Sequence, residues 1–328
     1  MSELEDAGAT VIRLLSKNLQ IVKDDGSTAQ IHVSPEWYNR ELFKNYDGQI
    51  TIGLAESQDR KVEMSGRIRR RLGTLRVNVW ATDKTASSDS GRVMRKKMVE
   101  EVNRIVRQNC NKPNETVYDL LGVGMLTGTH KAYSASSVSE LAPKHPNWTE
   151  LVDADYEKVW YSDDVQYSKS ADVDGEYALA LFRFKIDSGE KSVRKIVLMF
   201  EGYGVAQDNL YGVTIKVWNH VAEIWENSQT GTGTTDETLT ITLNSNLTDY
   251  IDDDGYVWLL ARTTSPSDGT SSATLFCDYV NYTVTVNGIT YLDVTSFRDA
   301  DVVDVKPFIF RTEFSLRSWC FEDIGGAF

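Results

Sequence analysis

Apolar positions recur with a helical period at two places near the start of the chain. In residues 5–19, Ala9, Ile12, Leu15 and Leu19 form a stripe flanked by Val11 and Leu14. In Gly91–Asn109, Met94, Met98, Val102, Ile105 and Val106 face one way, while Arg92, Arg95, Lys96, Glu100 and Arg107 face the other. Between them the period shortens to two. Gln49–Leu54 and Leu72–Trp80 alternate, the latter with Leu75, Val77 and Val79 on one face, and Ile31–Val33 is a third, short strand. This order predicts a small sheet covered by two helices. From about Asp153 the helical period disappears. Strands are expected over Tyr177–Ile186, Ser192–Glu201, Val213–His220, Glu223–Asn227, Thr238–Leu243, Tyr256–Thr264 and Ala273–Val286, an all-β, jelly-roll-like sandwich. Phe310, Phe314 and Leu316 mark one more strand near the end, of mixed charge like the first module. The expected organisation is therefore an α+β domain over 1–150, completed by 300–328, with a β-sandwich inserted at 153–290. Pro143–Trp148 reads as a linker.

Charge separates the same two bodies. Residues 1–117 hold 20 Lys and Arg against 16 Asp and Glu, whereas 153–286 hold 9 against 22. An acidic majority opposes sequence-specific nucleic-acid binding and suits a soluble body that docks basic partners. No apolar run approaches the ~20 residues of a membrane span, and the acidic start Met1-Ser-Glu-Leu-Glu-Asp6 lacks the apolar core of a secretory signal. Cys110, Cys277 and Cys320 lie too far apart for a CxxC site and read as thiols.

No catalytic motif stands out. The four histidines have no HExxH spacing, and neither GxSxG nor a phosphate loop occurs. Asp163-Asp164, Asp172 with Asp174, and Asp252-Asp253-Asp254 are acid pairs in turns, and turns rarely set carboxylates across a cleft as glycoside hydrolysis requires. The expectation is a protein that is not an enzyme and has no cofactor, with one reservation. Asp252, Asp253 and Asp254, followed by Gly255, offer the oxygen ligands of a structural calcium ion, or else form an ordinary solvated turn. On the hairpin that follows Thr214, strict alternation turns Trp218 and Trp225 outward, as a stacking platform for a sugar ring or as a cross-strand pair that stiffens the hairpin. Arg67, Arg69, Arg70 and Arg71 form the densest basic run, suited to a subunit or partner contact or to a solvated face.

With its leading helix, strand pair, alternating Leu72–Trp80, long helix Gly91–Asn109 and closing segment Phe310-Arg-Thr-Glu-Phe-Ser-Leu-Arg-Ser-Trp319, the first module resembles the tail-terminator and neck proteins of tailed viruses. The second is similar to carbohydrate-binding-like β-sandwiches of microbial surfaces and virions, through Val217-Trp-Asn-His220, Glu223-Ile-Trp-Glu226, Leu247–Val257 and Asp278-Tyr-Val280. The first resemblance implies a virion protein made in the host cytoplasm that forms a ring of its own copies, a hexamer, between tail tube and head–tail connector. The second implies a peripheral sandwich, or a receptor-binding protein in which surface glycans are the ligand.

Overall fold

The computed structural model describes residues 3–35, 37–62, 68–83, 88–207, 210–304 and 306–323. The chain opens with α1 (Ala7–Asn18), β1 (Ile31–Ser34), β2 (Gly48–Lys61), β3 (Ile68–Thr82) and α2 (Gly91–Gln108). There follow β4 (Glu115–Asp119), β5 (Lys131–Ser137), β6 (Thr149–Glu150), the single turn α3 (Asp153–Tyr156), β7 (Tyr167–Ala171), β8 (Tyr177–Lys185) and β9 (Val193–Val205). The remainder is strand: β10 (Val213–Asn219), β11 (Ile224–Gly231), β12 (Glu237–Leu243), β13 (Tyr256–Thr263), β14 (Ala273–Val286), β15 (Tyr291–Asp299) and β16 (Ile309–Asp323). They build an α+β unit and an all-β unit. Met1–Glu115 with Asn287–Phe328 make unit 1, and Thr116–Val286 make unit 2.

Unit 1 is a five-stranded sheet in the order β1-β2-β3-β16-β15. Its helices start where side chains satisfy their first amides. Asp6 accepts from the Ala9 amide, and Ser90 accepts from that of Val93. Both helices bury their apolar stripe on the same face of the sheet. Val11, Leu14 and Leu15 of α1 and Met94, Met98, Val102, Ile105 and Val106 of α2 share one core with Ile50, Ile52, Leu75, Val77, Val79, Phe314 and Leu316. By alternation the opposite face carries Arg76, Asn78, Trp80, Arg311 and Glu313.

Asp89, immediately before α2, ties a turn to that helix. Its side chain is fully buried and lies 2.8 Å from Lys97 Nζ, and its Oδ1 accepts from the Asp24 amide at 2.8 Å. Burial alone would raise the carboxyl, but the hydrogen bonds from Lys97 and the Asp24 amide outweigh it and hold it below the ordinary value. A depressed pKa adds stability above the unfolded value, and that stability is lost as pH falls through the folded one. Asp89→Asn is therefore expected to destabilise unit 1 by about 2 kcal/mol at neutral pH. In denaturant titrations the gap to wild type should close below about pH 4. A gap that persists in acid would mean that the charge contributes nothing.

In unit 2, one antiparallel sheet runs β11-β10-β13-β8-β5-β6 and the other β12-β9-β14-β4, with β7 also paired to β14. Inward residues of both, among them Phe182, Phe184, Ile215, Val217 and Leu259 from the first and Ile196, Leu198, Phe200, Val280 and Tyr282 from the second, fill one core.

The structure moves both domain boundaries. Residues 116–150 belong to the sandwich, because β5 pairs with β8 from Lys131↔Arg183 to Ser137↔Tyr177. The return to unit 1 comes at Asn287, and β15 pairs with β16. Neither β5 nor β15 has a strong period-two apolar signal: β5 buries only Ala132 and Ala135, and the last five residues of β15 are exposed.

Candidate functional site

The sandwich hairpin is the first place where chemistry was expected. Trp218 of β10 lies directly opposite Trp225 of β11. The two rings meet edge to face, 5.0 Å apart at 65°. Both are half-buried. Trp225 donates its indole N–H to the Leu141 carbonyl at 3.0 Å and packs with Trp148 and Tyr177 against Ala135, Leu141, Leu179 and Leu260. The stretch read as a linker thus covers this face of the sheet, held by Trp148 Nε1 to the Ala142 carbonyl and by Glu140 to Lys216 and Arg262. Glu226 is fixed by Tyr250 and Asn219, whose hydrogen bonds hold its carboxyl below the ordinary value. The glycan platform is corrected at Trp225, whose ring lies under the cover; with Trp218 it forms a cross-strand clamp.

The calcium reading of Asp252, Asp253 and Asp254 is also corrected. Asp252 is buried. Its Oδ1 accepts from the Asp254 and Tyr256 amides, and its Oδ2 accepts from the Trp258 indole at 3.1 Å. Those donors occupy its oxygens and close the turn before β13, while Asp253 and Asp254 point into solvent.

The basic run lies on β3, with Arg67 outside the described residues. Arg71 Nε meets Asp59 Oδ1 at 2.9 Å across the β2–β3 ladder. Arg70 stacks over Trp319 of β16, 4.6 Å from the ring centre, and Arg69 is half-buried on the same strand. Part of the expected contact patch therefore braces its own sheet. β2 beside it is the more open element. β1 pairs with it only over Gly48–Thr51. From Ile52 to Lys61 its outer edge pairs with no strand among the described residues, and Gly53–Lys61 are all exposed. Next to that edge a cavity of about 260 Å³ is lined by Trp37, Thr51, Arg76, Asn78 and Arg311. Trp37 is 80% exposed.

Sequence reasoning missed one group. Asp164 precedes β7, Asp236 precedes β12, and Asp278 lies within β14. They are remote in sequence, yet one oxygen from each falls within 4.8 Å of the others. A β-bulge does this, since Cys277 pairs with Gly202 and Tyr279 with Glu201, leaving Asp278 as the extra residue. Asp278 is 1% exposed, and neither of its oxygens has a hydrogen-bond partner among the described residues. Burial pushes its carboxyl up, opposed by the nearby amides of Asp164 and Asp163 and reinforced by Glu201 and Asp236. Those amides approach it without reaching hydrogen-bond geometry. The available signal was Asp278 as the only acid of the strongly alternating β14.

Among the described residues no helix is long and apolar enough to cross a membrane. The fold and its surfaces define a class, a two-unit protein that joins an α+β body to a β-sandwich. Within it, residues 128–286 are similar to a family described as an uncharacterized protein, C-terminal domain, a match that falls inside unit 2. No curated protein matches the chain.

Proposed function

We propose that the chain is a non-enzymatic structural protein of a tailed-virus particle. Its copies close into a ring at the tail end or neck, between tail tube and head–tail connector, with unit 1 as the assembling body and the sandwich as an accessory. The observation that carries this reading is the bare β2 edge. An exposed edge of this length is a template for another strand, and soluble proteins normally blunt or cover it. Head-to-tail addition of the same edge from copy to copy generates a closed ring when the rotation permits. The exposed Trp37 beside Arg76 and Arg311 has the composition of an interface anchor. Glu56, Asp59, Arg60 and Lys61 give the edge both signs of charge, which suits a register-selecting contact.

Mass photometry of the purified chain, followed by negative-stain imaging, tests the reading. A ring of about six copies is expected. Arg60→Glu with Lys61→Glu, both exposed, should weaken self-association by about tenfold or more while circular dichroism stays unchanged. A chain that remains monomeric at high concentration and with its axial partners, or a ring indifferent to the double variant, would refute assembly through this edge.

A further inference from the structure

We propose that Asp164, Asp236 and Asp278 hold a calcium ion at the end of the β12-β9-β14 sheet, where the ion joins the loop before β7, the start of β12 and the bulge of β14.

Several observations converge on the same spot. Ligands of one calcium ion, each 2.3–2.6 Å from the metal, must lie within about 5 Å of one another, and these three oxygens lie within 4.8 Å. A bare acidic cluster on a surface has water to satisfy it, but Asp278 does not. It is 99% buried, neither of its oxygens reaches a hydrogen-bond partner among the described residues, and one of them lies within 4.8 Å of an oxygen of each of the other two acids. Asp236 is half committed. Gln166 donates to its Oδ2 at 2.5 Å, which orients the carboxylate, while its buried Oδ1 has no partner. Asp164 is exposed, in a left-handed conformation with φ of 64°, and leaves the ion an approach from solvent. Glu201 adds a further negative charge nearby. Buried carboxylates without donors are retained where they are paired or coordinate a metal.

The donor set selects the ion. It is oxygen alone: the three converging groups are carboxylates, and Cys277 beside Asp278 is buried in the sandwich core. Carboxylate oxygens suit a hard cation. Three carboxylates from separate segments, completed by water, fit the variable coordination of calcium better than the strict octahedron of magnesium. The ion would act as a staple between chain segments more than 100 residues apart (Asp164 and Asp278), and it adds stability in proportion to its occupancy.

The test uses the full chain, stripped with EDTA and desalted, then titrated with CaCl₂ by calorimetry and by thermal unfolding. The expected result is one ion per chain, with the unfolding midpoint of unit 2 raised by about 5 to 10 °C when calcium exceeds its dissociation constant a hundredfold. Asp278→Asn should weaken binding by about tenfold or more. Asp164→Ala, at an exposed position, should do the same. Asp253→Asn with Asp254→Asn should leave the response intact. No heat and no shift up to about 10 mM calcium would overturn the proposal. Persistence of the full response in Asp164→Ala and Asp278→Asn would overturn the ligand set. An equal response to MgCl₂ would overturn the choice of calcium.

Discussion

Phe314→Ala is expected to cost unit 1 about 3 to 5 kcal/mol. Phe314 is fully buried at the centre of β16, opposite Val77 of β3, in the core that both helices cover. Removing the ring leaves a cavity walled by strands and helices that cannot collapse inward without breaking the sheet. The location of the effect is as informative as its size. Phe314 reaches this core only after the chain has built the whole of unit 2, and the two units have separate cores. Calorimetry should therefore show one transition falling by about 10 °C while the other stays in place. A loss below about 1 kcal/mol would mean that β16 contributes little to the core. A single transition moving as a whole would mean that the two units do not unfold separately.

Gly202→Ala is expected to cost unit 2 about 2 to 4 kcal/mol. Gly202 lies in β9 with φ of +157°, and a Cβ there would fall 2.2 Å from the Phe276 carbonyl oxygen and 3.0 Å from the Phe200 ring. The first neighbour is backbone of the adjacent strand β14, so the contact is relieved only by parting the two strands. They would part at the β14 bulge, where Gly202 pairs with Cys277. The added methyl should thus disturb Asp278 along with the sheet. Chemical denaturation measures the first effect, and calcium titration of the folded variant measures the second. Gly53→Ala, whose added Cβ meets nothing within 4 Å, serves as the control and should stay within about 0.5 kcal/mol of wild type. Equal stabilities of Gly202→Ala and wild type would show that β9 and β14 have room to separate there.

Much of the fold is legible in the chain because local periodicity reflects one-sided burial. The stripe Met94, Met98, Val102, Ile105 and Val106 faces the sheet because a helix repeats every 3.6 residues, and all five are buried. The alternation over Leu72–Trp80 places Leu75, Val77 and Val79 on the helix-covered face for the corresponding reason in strands. Periodicity weakens wherever a strand buries small residues or little at all, and β5 and β15 escaped reading for that reason. The linker-like stretch ending at Trp148 failed differently. Its Pro and polar residues describe a loop correctly, but nothing local tells that the loop lies on an outer sheet face and shelters Trp225.

The site residues divide along the same line. The acids Asp252–Asp254 drew attention because they are adjacent, and adjacency in a turn led Asp252 to accept N–H donors from its own turn. Asp164, Asp236 and Asp278 drew none because a group assembled from three segments remote in the chain has no spacing to recognise. Taken by itself, the sequence determined the two bodies, their helix and strand character, the charge contrast between them and the inward residues of each regular element, since all of these follow from side-chain chemistry over a few turns or strands. Only the tertiary structure decided where the bodies divide, which β2 edge stays bare, that Trp225 is covered, and that a bulge turns Asp278 toward two distant carboxylates. Strand pairing and bulge placement are set by contacts between residues far apart in the chain, which no short-range pattern encodes.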